Sequence, residues 1–400
     1  TTASNNTAVG GLALLDNTTG TDNTVVGVSA LENNTTADGN SAFGRCALFD
    51  NTTGAANNTF GTESLANNTT GGCNNAFGNA ALGTNTTGHS NVAMGHIALN
   101  ANTTGTSNVA IGFEASRLNT EGTGNVAVGY EALEANTTGG VNVAVGYRAL
   151  KVNTTAGNNV AIGYSALCTN TTGAQNVAVG TNALEANTTA ENNVAVGHRA
   201  LCATTTGASN TAVGRNALGD NTTGHSNTAL GYYALKLNNG TDPDENTAVG
   251  FCALQANTTG TTNTAIGKDA MKLNTTGVTN VAVGCGALDA NTSASSNVAV
   301  GGNAMGVNTT GAENVAVGAG ALDANTTASC NTAVGMNSLT ANTTGCMNVA
   351  VGTSSMVKTT TGNENTAVGK LSMACNTTGS FNAAFGTNTM QCNTEGDENT

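Results

Sequence analysis

The sequence contains no tryptophan and a single proline, and aromatic residues make up only 3% of it. Charged residues make up 9%, whereas about a quarter of an average soluble domain is charged. These shortages argue against the ordinary globular domains that a chain of 400 residues would otherwise suggest. Intrinsic disorder is also disfavoured, because disordered chains are poor in β-branched residues, whereas valine and threonine are abundant here.

Basic residues are scarce as well: there are 11 lysines and arginines against 24 acidic residues, which gives a net charge of −13. This balance predicts that neither nucleic acid nor an anionic membrane surface is a partner. No apolar run approaches the roughly 20 residues of a membrane-spanning helix, so no membrane segment is predicted.

The four histidines have no metal-ligand spacing with cysteines or acids, and no catalytic pairing or phosphate-binding loop stands out. We therefore predict no metal, no cofactor and no enzymatic activity.

What the sequence does have is a short tandem repeat. A unit such as residues 142–158 begins with Asn-Val-Ala-Val-Gly, carries Asn-Thr-Thr further on, and recurs 23 times, counted by an anchor glycine such as Gly146. Consecutive anchor glycines lie 17 residues apart, except Gly231 and Gly250, which lie 19 apart. Units this short are typical of one strand with turns, since a helical hairpin repeat needs roughly 34 residues. We predict an all-β parallel β-solenoid with one coil per unit and about 4.8 Å between coils.

The repeat runs through residues 1–400, which predicts a single continuous solenoid. Because both ends of the chain fall inside a unit, we expect a window of a longer tandem array. Within it, residues 232–249 form the longer unit and predict a two-residue loop insertion. Three acids there, Asp242, Asp244 and Glu245, are an alternative Ca²⁺ site, although their spacing matches no established calcium-binding loop.

Comparing the units indicates which columns of equivalent residues face inward. The residue before the anchor is always apolar, as at Val145, and the residue four after it is Leu or Met in 22 units, as at Leu150. We predict that these two columns form the core. The alanine two before the anchor, as at Ala144, predicts close packing against the opposite wall of the coil or another chain. The asparagine four before the anchor never varies, and it predicts a ladder of stacked amides. Members of this first Asn column include Asn6, Asn23, Asn40, Asn142, Asn246 and Asn382.

A second Asn column lies seven residues after the anchor and keeps the pattern Asn-x-Ser/Thr in 18 of 23 units. Two interpretations stay open. The pattern is typical of a turn in which Asn and Thr side chains cap the backbone. It is also the acceptor pattern for N-linked glycans, with O-linked sugars on the threonines as a further form. The glycan candidates are Asn17, Asn34, Asn51, Asn68, Asn85, Asn102, Asn136, Asn153, Asn170, Asn187, Asn221, Asn257, Asn274, Asn291, Asn308, Asn325, Asn342 and Asn376.

Other columns carry cysteines and aromatic residues. Cys375 and Cys392 are 17 residues apart and should lie on adjacent coils, at a distance that suits the Cα atoms of a disulfide. A bridge between them and a pair of isolated thiols both stay open. Aromatic residues occupy the column after the anchor in four consecutive units and predict either cross-coil packing or a stripe that binds a sugar or another chain. They are Phe113, Tyr130, Tyr147 and Tyr164.

The segment Asn142-Val-Ala-Val-Gly-Tyr-Arg-Ala149 resembles the head repeat of trimeric autotransporter adhesins. The longer unit, with its Asn-Thr-Thr-Gly, resembles arrays in phage tail fibres and large bacterial surface proteins. The resemblance implies a left-handed parallel β-roll, often a trimer, displayed outside the cell.

From the repeat and the resemblance we expect a structural extracellular fibre or filament that carries glycans along the Asn-Thr-Thr edge. The alternative is an adhesin or tail-fibre shaft that binds a host surface or a glycan through the variable columns after the anchor. Self-association into a fibre or trimer is expected in either case. The expected location is extracellular or at the cell surface.

Overall fold

A computed structural model describes residues 2–240 and 244–400 of the chain. It contains two compact units, Thr1–His198 and Arg199–Thr400, and each unit is a parallel β-solenoid with turns of about 17 residues. The all-β solenoid predicted from the repeat is therefore confirmed, and the described residues contain no helix. Continuity of residues 1–400 as one solenoid stays a prediction. The predicted loop in residues 232–249 includes residues 241–243, which lie outside the described residues.

Each coil contributes one strand of three residues. The first unit contains β1 (Thr7–Val9), β2 (Thr24–Val26), β3 (Ser41–Phe43), β4 (Asn58–Phe60), β5 (Asn75–Phe77), β6 (Val92–Met94), β7 (Val109–Ile111), β8 (Val126–Val128), β9 (Val143–Val145), β10 (Val160–Ile162), β11 (Val177–Val179) and β12 (Val194–Val196). The second unit contains β13 (Thr211–Val213), β14 (Thr228–Leu230), β15 (Thr247–Val249), β16 (Thr264–Ile266), β17 (Val281–Val283), β18 (Val298–Val300), β19 (Val315–Val317), β20 (Thr332–Val334), β21 (Val349–Val351), β22 (Thr366–Val368) and β23 (Ala383–Phe385).

Within each unit, every strand pairs in parallel with the next, so that equivalent residues of successive coils are direct neighbours. Val143 of β9 lies opposite Val160 of β10, and Ala144 lies opposite Ala161. Coil-to-coil backbone hydrogen bonds continue outside the strands: the amide of Leu150 donates to the carbonyl of Ala166 at 2.9 Å. The in-register stacking follows from the constant period, since any slip would bring unlike residues together.

The core differs from the prediction in one column. The leucine four after the anchor is buried as predicted, with Leu150 at 0% exposure. The residue before the anchor is not core: Met94 is 44% and Ile111 is 37% exposed. Strand alternation turns the middle residue of the strand inward instead, usually an alanine such as Ala144, and an alanine or serine three after the anchor is buried beside it, as at Ala149. The place also holds larger side chains in two coils, where Val25 and Thr59 are buried.

The sharp bends of each coil require unusual backbone angles. Anchor glycines have φ between 120° and 148°, a region that side chains disfavour. In most coils three further residues adopt left-handed φ without being glycine, as at Val141 (59°), Arg148 (56°) and Leu150 (52°). A left-handed residue costs roughly 1–2 kcal/mol, which offsets much of what burying one leucine contributes. Coil-to-coil hydrogen bonding must therefore supply a large share of the stability.

Val141→Asn is expected to raise the free energy of unfolding by about 0.5–1 kcal/mol. Val141 is β-branched, 62% exposed and held at φ 59°, where asparagine is tolerated better. Thermal and urea unfolding of the two proteins would measure the gain. Val28→Asn is the control, because Val28 is 56% exposed and has no left-handed φ. An equal gain in both variants would mean that surface polarity, and not backbone strain, is responsible.

Candidate functional surfaces

The first Asn column forms a ladder inside each unit. The Oδ1 atom of Asn142 accepts the backbone amide of Asn159 at 3.0 Å. Its Nδ2 atom donates to the carbonyl of Ala156 at 2.9 Å and to Oδ1 of Asn125 at 3.1 Å. Asn142 is fully buried, so these bonds replace water for all of its polar atoms. The column thus links successive coils along the inside of the bend.

The second Asn column forms another ladder, which the sequence did not identify. The Nδ2 atom of Asn153 donates to Oδ1 of Asn136 at 2.9 Å and to the carbonyl of Ala156 at 2.9 Å. That carbonyl is the one that Asn142 also uses. In a regular coil that has both asparagines, a single backbone oxygen therefore joins the two ladders, and we call it the shared carbonyl.

These contacts disfavour N-glycosylation of the second Asn column. Of the 18 candidates, Asn17 is half-buried and the other 17 have 0% exposure. An N-glycan is attached through Nδ2, and in this column Nδ2 is the ladder donor. A glycan replaces one of the two Nδ2 hydrogens, so on a folded coil it would break at least one of these bonds and occupy a filled interior. N-glycosylation stays a prediction, but the geometry opposes it. The fully buried candidates are Asn34, Asn51, Asn68, Asn85, Asn102, Asn136, Asn153, Asn170, Asn187, Asn221, Asn257, Asn274, Asn291, Asn308, Asn325, Asn342 and Asn376.

The two threonines that follow differ from each other. The first is half-buried and extends the ladder, since Oγ1 of Thr154 donates to the carbonyl of Thr171 at 3.1 Å. The second, as at Thr155, is exposed. Adjacent residues point to opposite sides, so only the second threonine offers its hydroxyl to solvent. O-linked sugars, the other form of the glycan prediction, are sterically open at that column alone.

The outer face of the sheet carries the residues three and one before the anchor. In the first unit these pairs include Val126 with Val128 and Val143 with Val145, all half-exposed. None of the residues in the two columns is charged, although the chain carries a net charge of −13. The result is a flat, uncharged and mainly apolar stripe in each unit.

The aromatic column of the first unit is a continuous stack. Ring centroids lie 5.2 Å apart between Phe113 and Tyr130, 5.2 Å between Tyr130 and Tyr147, and 5.1 Å between Tyr147 and Tyr164. His96 extends the stack at 5.5 Å from Phe113. Because the rings cover one another, they expose edges and not faces, and a sugar needs an open face to stack on. The arrangement favours the cross-coil packing interpretation over the sugar-binding one.

Beside this stack lies a network of ion pairs. Carboxylate oxygens of Glu114, Glu131 and Glu134 come within 4.8 Å of one another. Arg117 contacts Glu134 at 2.7 Å and Glu114 at 3.2 Å, and Arg148 contacts Glu131 at 2.9 Å. The cationic partners balance the three acids, so the cluster is not an anionic site.

Glu131 gives this network a defined pH dependence. Burial would raise its pKa, but hydrogen bonds from Lys151, Arg148 and Tyr130 outweigh burial and lower the pKa from 4.5 to about 2. A lowered pKa stabilises the fold fully above pH 4.5, and the contribution is lost as the pH falls towards 2. Glu131→Gln should cost about 1 kcal/mol at pH 7, and the difference from wild type should vanish near pH 2.

Urea unfolding of both proteins at pH 7, 4 and 2 would measure the convergence. Glu121→Gln, at an exposed position of the same unit, is the control and should differ little from wild type at any pH. A constant difference for Glu131→Gln across this range would contradict the titration of this carboxyl group.

The structure gives little support to two further candidate sites, a disulfide and a calcium site. Cys375 and Cys392 are free thiols on adjacent coils, and the amide of Cys375 donates to the carbonyl of Gln391 at 3.1 Å. A bridge between them stays a prediction.

Of the calcium candidates, Asp242 lies outside the described residues, Asp244 is buried at 0% exposure and Glu245 is exposed. Asp244 and Glu245 therefore face different surroundings, which disfavours shared coordination of an ion.

In the part of the chain that the structure describes, no helix could cross a membrane. No model of a known protein family matches the sequence, and no curated protein matches it either.

Proposed function

We propose that this chain is a structural protein, a segment of an extracellular fibre or filament whose copies associate through the outer face of the sheet. The observation that carries the proposal is the pair of Asn ladders joined at every shared carbonyl, as at Ala156. Such a column resists unfolding along its whole length, because each coil is held by both neighbours. The buried hydrogen bonds of this fold join successive coils along the solenoid and do not serve to hold a ligand.

Self-association through the outer face is supported by its composition. Soluble monomers seldom expose a long apolar stripe, and this one lacks charges that would keep like-charged copies apart. Eleven coil spacings of about 4.8 Å give the stripe of the first unit a length of roughly 50 Å and an area on the order of 500 Å². A stable interface buries about 800 Å² per partner, so association should strengthen with the number of coils. The partner is a second copy of the chain, in a fibre or trimer.

The test is the oligomeric state of a variant in which the stripe is interrupted. Val128→Lys, Val145→Lys and Ile162→Lys together place three charges on neighbouring strands of the outer face. Sedimentation velocity should show wild type as oligomers or filaments and the triple variant as a monomer with unchanged circular dichroism. Leu118→Lys with Val28→Lys is the control, since both residues are exposed but lie outside the strands. A wild type that stays monomeric at every concentration would refute association.

An adhesin or tail-fibre shaft is the second candidate. The stacked aromatic column with its ion-pair network favours it, because this patch is distinct from the repeated surface around it. A host ligand would then bind the ring edges and hydroxyls of Tyr130, Tyr147 and Tyr164. Replacing the three tyrosines by serine should abolish binding to host cells or a glycan array. Binding that survives the replacement would remove this patch from consideration.

Covalent sugars, if the fibre carries them, belong on the exposed second threonines such as Thr155 and not on the buried asparagines. Intact mass of the protein from its native source tests decoration. A mass equal to that of the bare polypeptide would exclude it, and fragment spectra would distinguish threonine from asparagine attachment.

A further inference from the structure

The second unit contains a coil that is two residues longer than the others, yet both Asn ladders pass through it. In a regular coil the shared carbonyl belongs to the residue three after the second-column asparagine. The next coil shows the usual arrangement: the carbonyl of Gly260 accepts from Asn246 at 2.8 Å and from Asn257 at 2.9 Å. In the longer coil the equivalent position is residue 241, which lies outside the described residues.

The side chain of Asp244 takes the place of the shared carbonyl. Its Oδ2 atom accepts from Nδ2 of Asn227 at 3.1 Å and from Nδ2 of Asn238 at 2.7 Å. These are the donors of the first and second Asn columns, the same pair that a backbone oxygen serves elsewhere. Asp244 has 0% exposure, which is unusual for a carboxylate that has no cationic partner among the described residues. One carboxylate oxygen of Asp244 therefore accepts the two hydrogen bonds that a backbone carbonyl accepts in a regular coil.

The chain returns to register at this residue. The amide of Asp244 donates to the carbonyl of His225 at 3.2 Å, and its own carbonyl accepts the amide of Thr262 at 2.7 Å. Both ladders then continue across the insertion. The amide of Asn246 donates to Oδ1 of Asn227 at 3.1 Å, a step of 19 residues in place of 17.

Gly240, which precedes residues 241–243, lies close to the same carboxylate. A Cβ atom at Gly240 would lie 1.8 Å from Oδ1 of Asp244, so a side chain there would force this carboxylate to move. The second-column bond also spans the insertion, with Nδ2 of Asn257 donating to Oδ1 of Asn238 at 2.8 Å. The contacts of Asn238 and Asp244 thus keep the ladders connected on both sides of residues 241–243.

We propose that Asp244 is a splice residue: its side chain supplies the acceptor that both ladders need, so the ladders run through this longer coil without a break. It follows that this coil accepts inserted sequence of other lengths, whereas a regular coil does not, because there the shared carbonyl belongs to the backbone that an insertion would displace. The coil is therefore a built-in position from which the solenoid can display a longer segment.

The first experiment removes the carboxylate. In hydrogen–deuterium exchange of the full chain, Asp244→Ala should speed amide exchange in residues 227–257 by tenfold or more, roughly the effect of losing one buried acceptor. Asp244→Asn keeps an acceptor oxygen and should give an intermediate effect. Glu245→Ala is the control, because Glu245 is exposed and adjacent. Equal exchange in wild type and Asp244→Ala would overturn the assignment.

The second experiment varies the inserted length. Eight Gly/Ser residues are placed between Gly240 and Asp244, or in the equivalent place of the next coil, between Thr259 and Gly260, ahead of the shared carbonyl. The first insertion should leave exchange of residues 244–263 within about twofold of wild type, since loop closure depends weakly on length. The second should raise exchange around its own coil by tenfold or more. Equal tolerance at both places, or tolerance at the first place that persists in Asp244→Ala, would refute the splice role.

Discussion

Gly301→Ala should destabilise the second unit by at least about 3 kcal/mol. Gly301 is an anchor glycine with φ 136°, a backbone conformation that is essentially reserved for glycine. An added Cβ would lie 2.6 Å from both the carbonyl carbon and the oxygen of Gly318, the next anchor. These are backbone atoms, so the clash cannot be relieved by turning a side chain. The coil would have to move away from its neighbour and lose the hydrogen bonds between them.

The neighbouring residue provides a matched control. A Cβ atom added at Gly302 would meet no other atom within 4 Å, and Gly302 has no left-handed φ. Gly302→Ala should therefore change stability by less than about 0.5 kcal/mol. Thermal unfolding together with hydrogen exchange of residues 284–335 would compare the two variants. If both variants unfold and exchange alike, the close contact between coils is not what restricts the anchor position to glycine.

Asn142→Thr should cost about 2–4 kcal/mol, whereas Asn153→Thr should cost about 1 kcal/mol or less. Replacing Asn142 removes the acceptor of the buried Asn159 amide, and a buried amide without a partner is expensive. At the second column the chain already tolerates threonine: Oγ1 of Thr204 donates to the carbonyl of Asn221 at 3.1 Å.

The shared carbonyl explains why the second replacement is mild. Ala156 would lose Asn153 as a donor but keep Asn142, at 2.9 Å. Urea unfolding of the two single variants would measure the contrast. The double variant should cost more than the sum of the two, because the carbonyl of Ala156 would then lose both donors. Simple additivity would contradict the joint role of this oxygen.

The constant period was sufficient to predict the fold, because it leaves a short unit no way to bury its apolar residues except by stacking. It was not sufficient to predict which strand residues face inward. Val143, Ala144 and Val145 are all apolar, so the sequence has no alternation to mark a face. The middle residue of the strand faces inward even where it is not alanine, as the buried Val25 and Thr59 show.

The second Asn ladder and the splice residue were missed for a different reason. Asn-Thr-Thr fits a turn, a glycan acceptor or a ladder equally well, and the choice depends on where the carbonyl of Ala156 lies in space. Likewise, the spacing around Asp244 suggests a loop or an ion site. Nothing in the spacing indicates that the Asp244 carboxylate accepts the hydrogen bonds that a backbone carbonyl accepts in other coils.

The interior of these coils is unusually rich in amides for its volume: a typical coil buries Ala144, Ala149 and Leu150 together with Asn142 and Asn153. Exposing apolar surface raises the heat capacity of unfolding, whereas exposing polar surface lowers it. The heat capacity change per residue should therefore fall below the usual value of about 12–15 cal/mol/K. A flatter stability curve follows, so the solenoid should lose little stability between near-freezing and warm water.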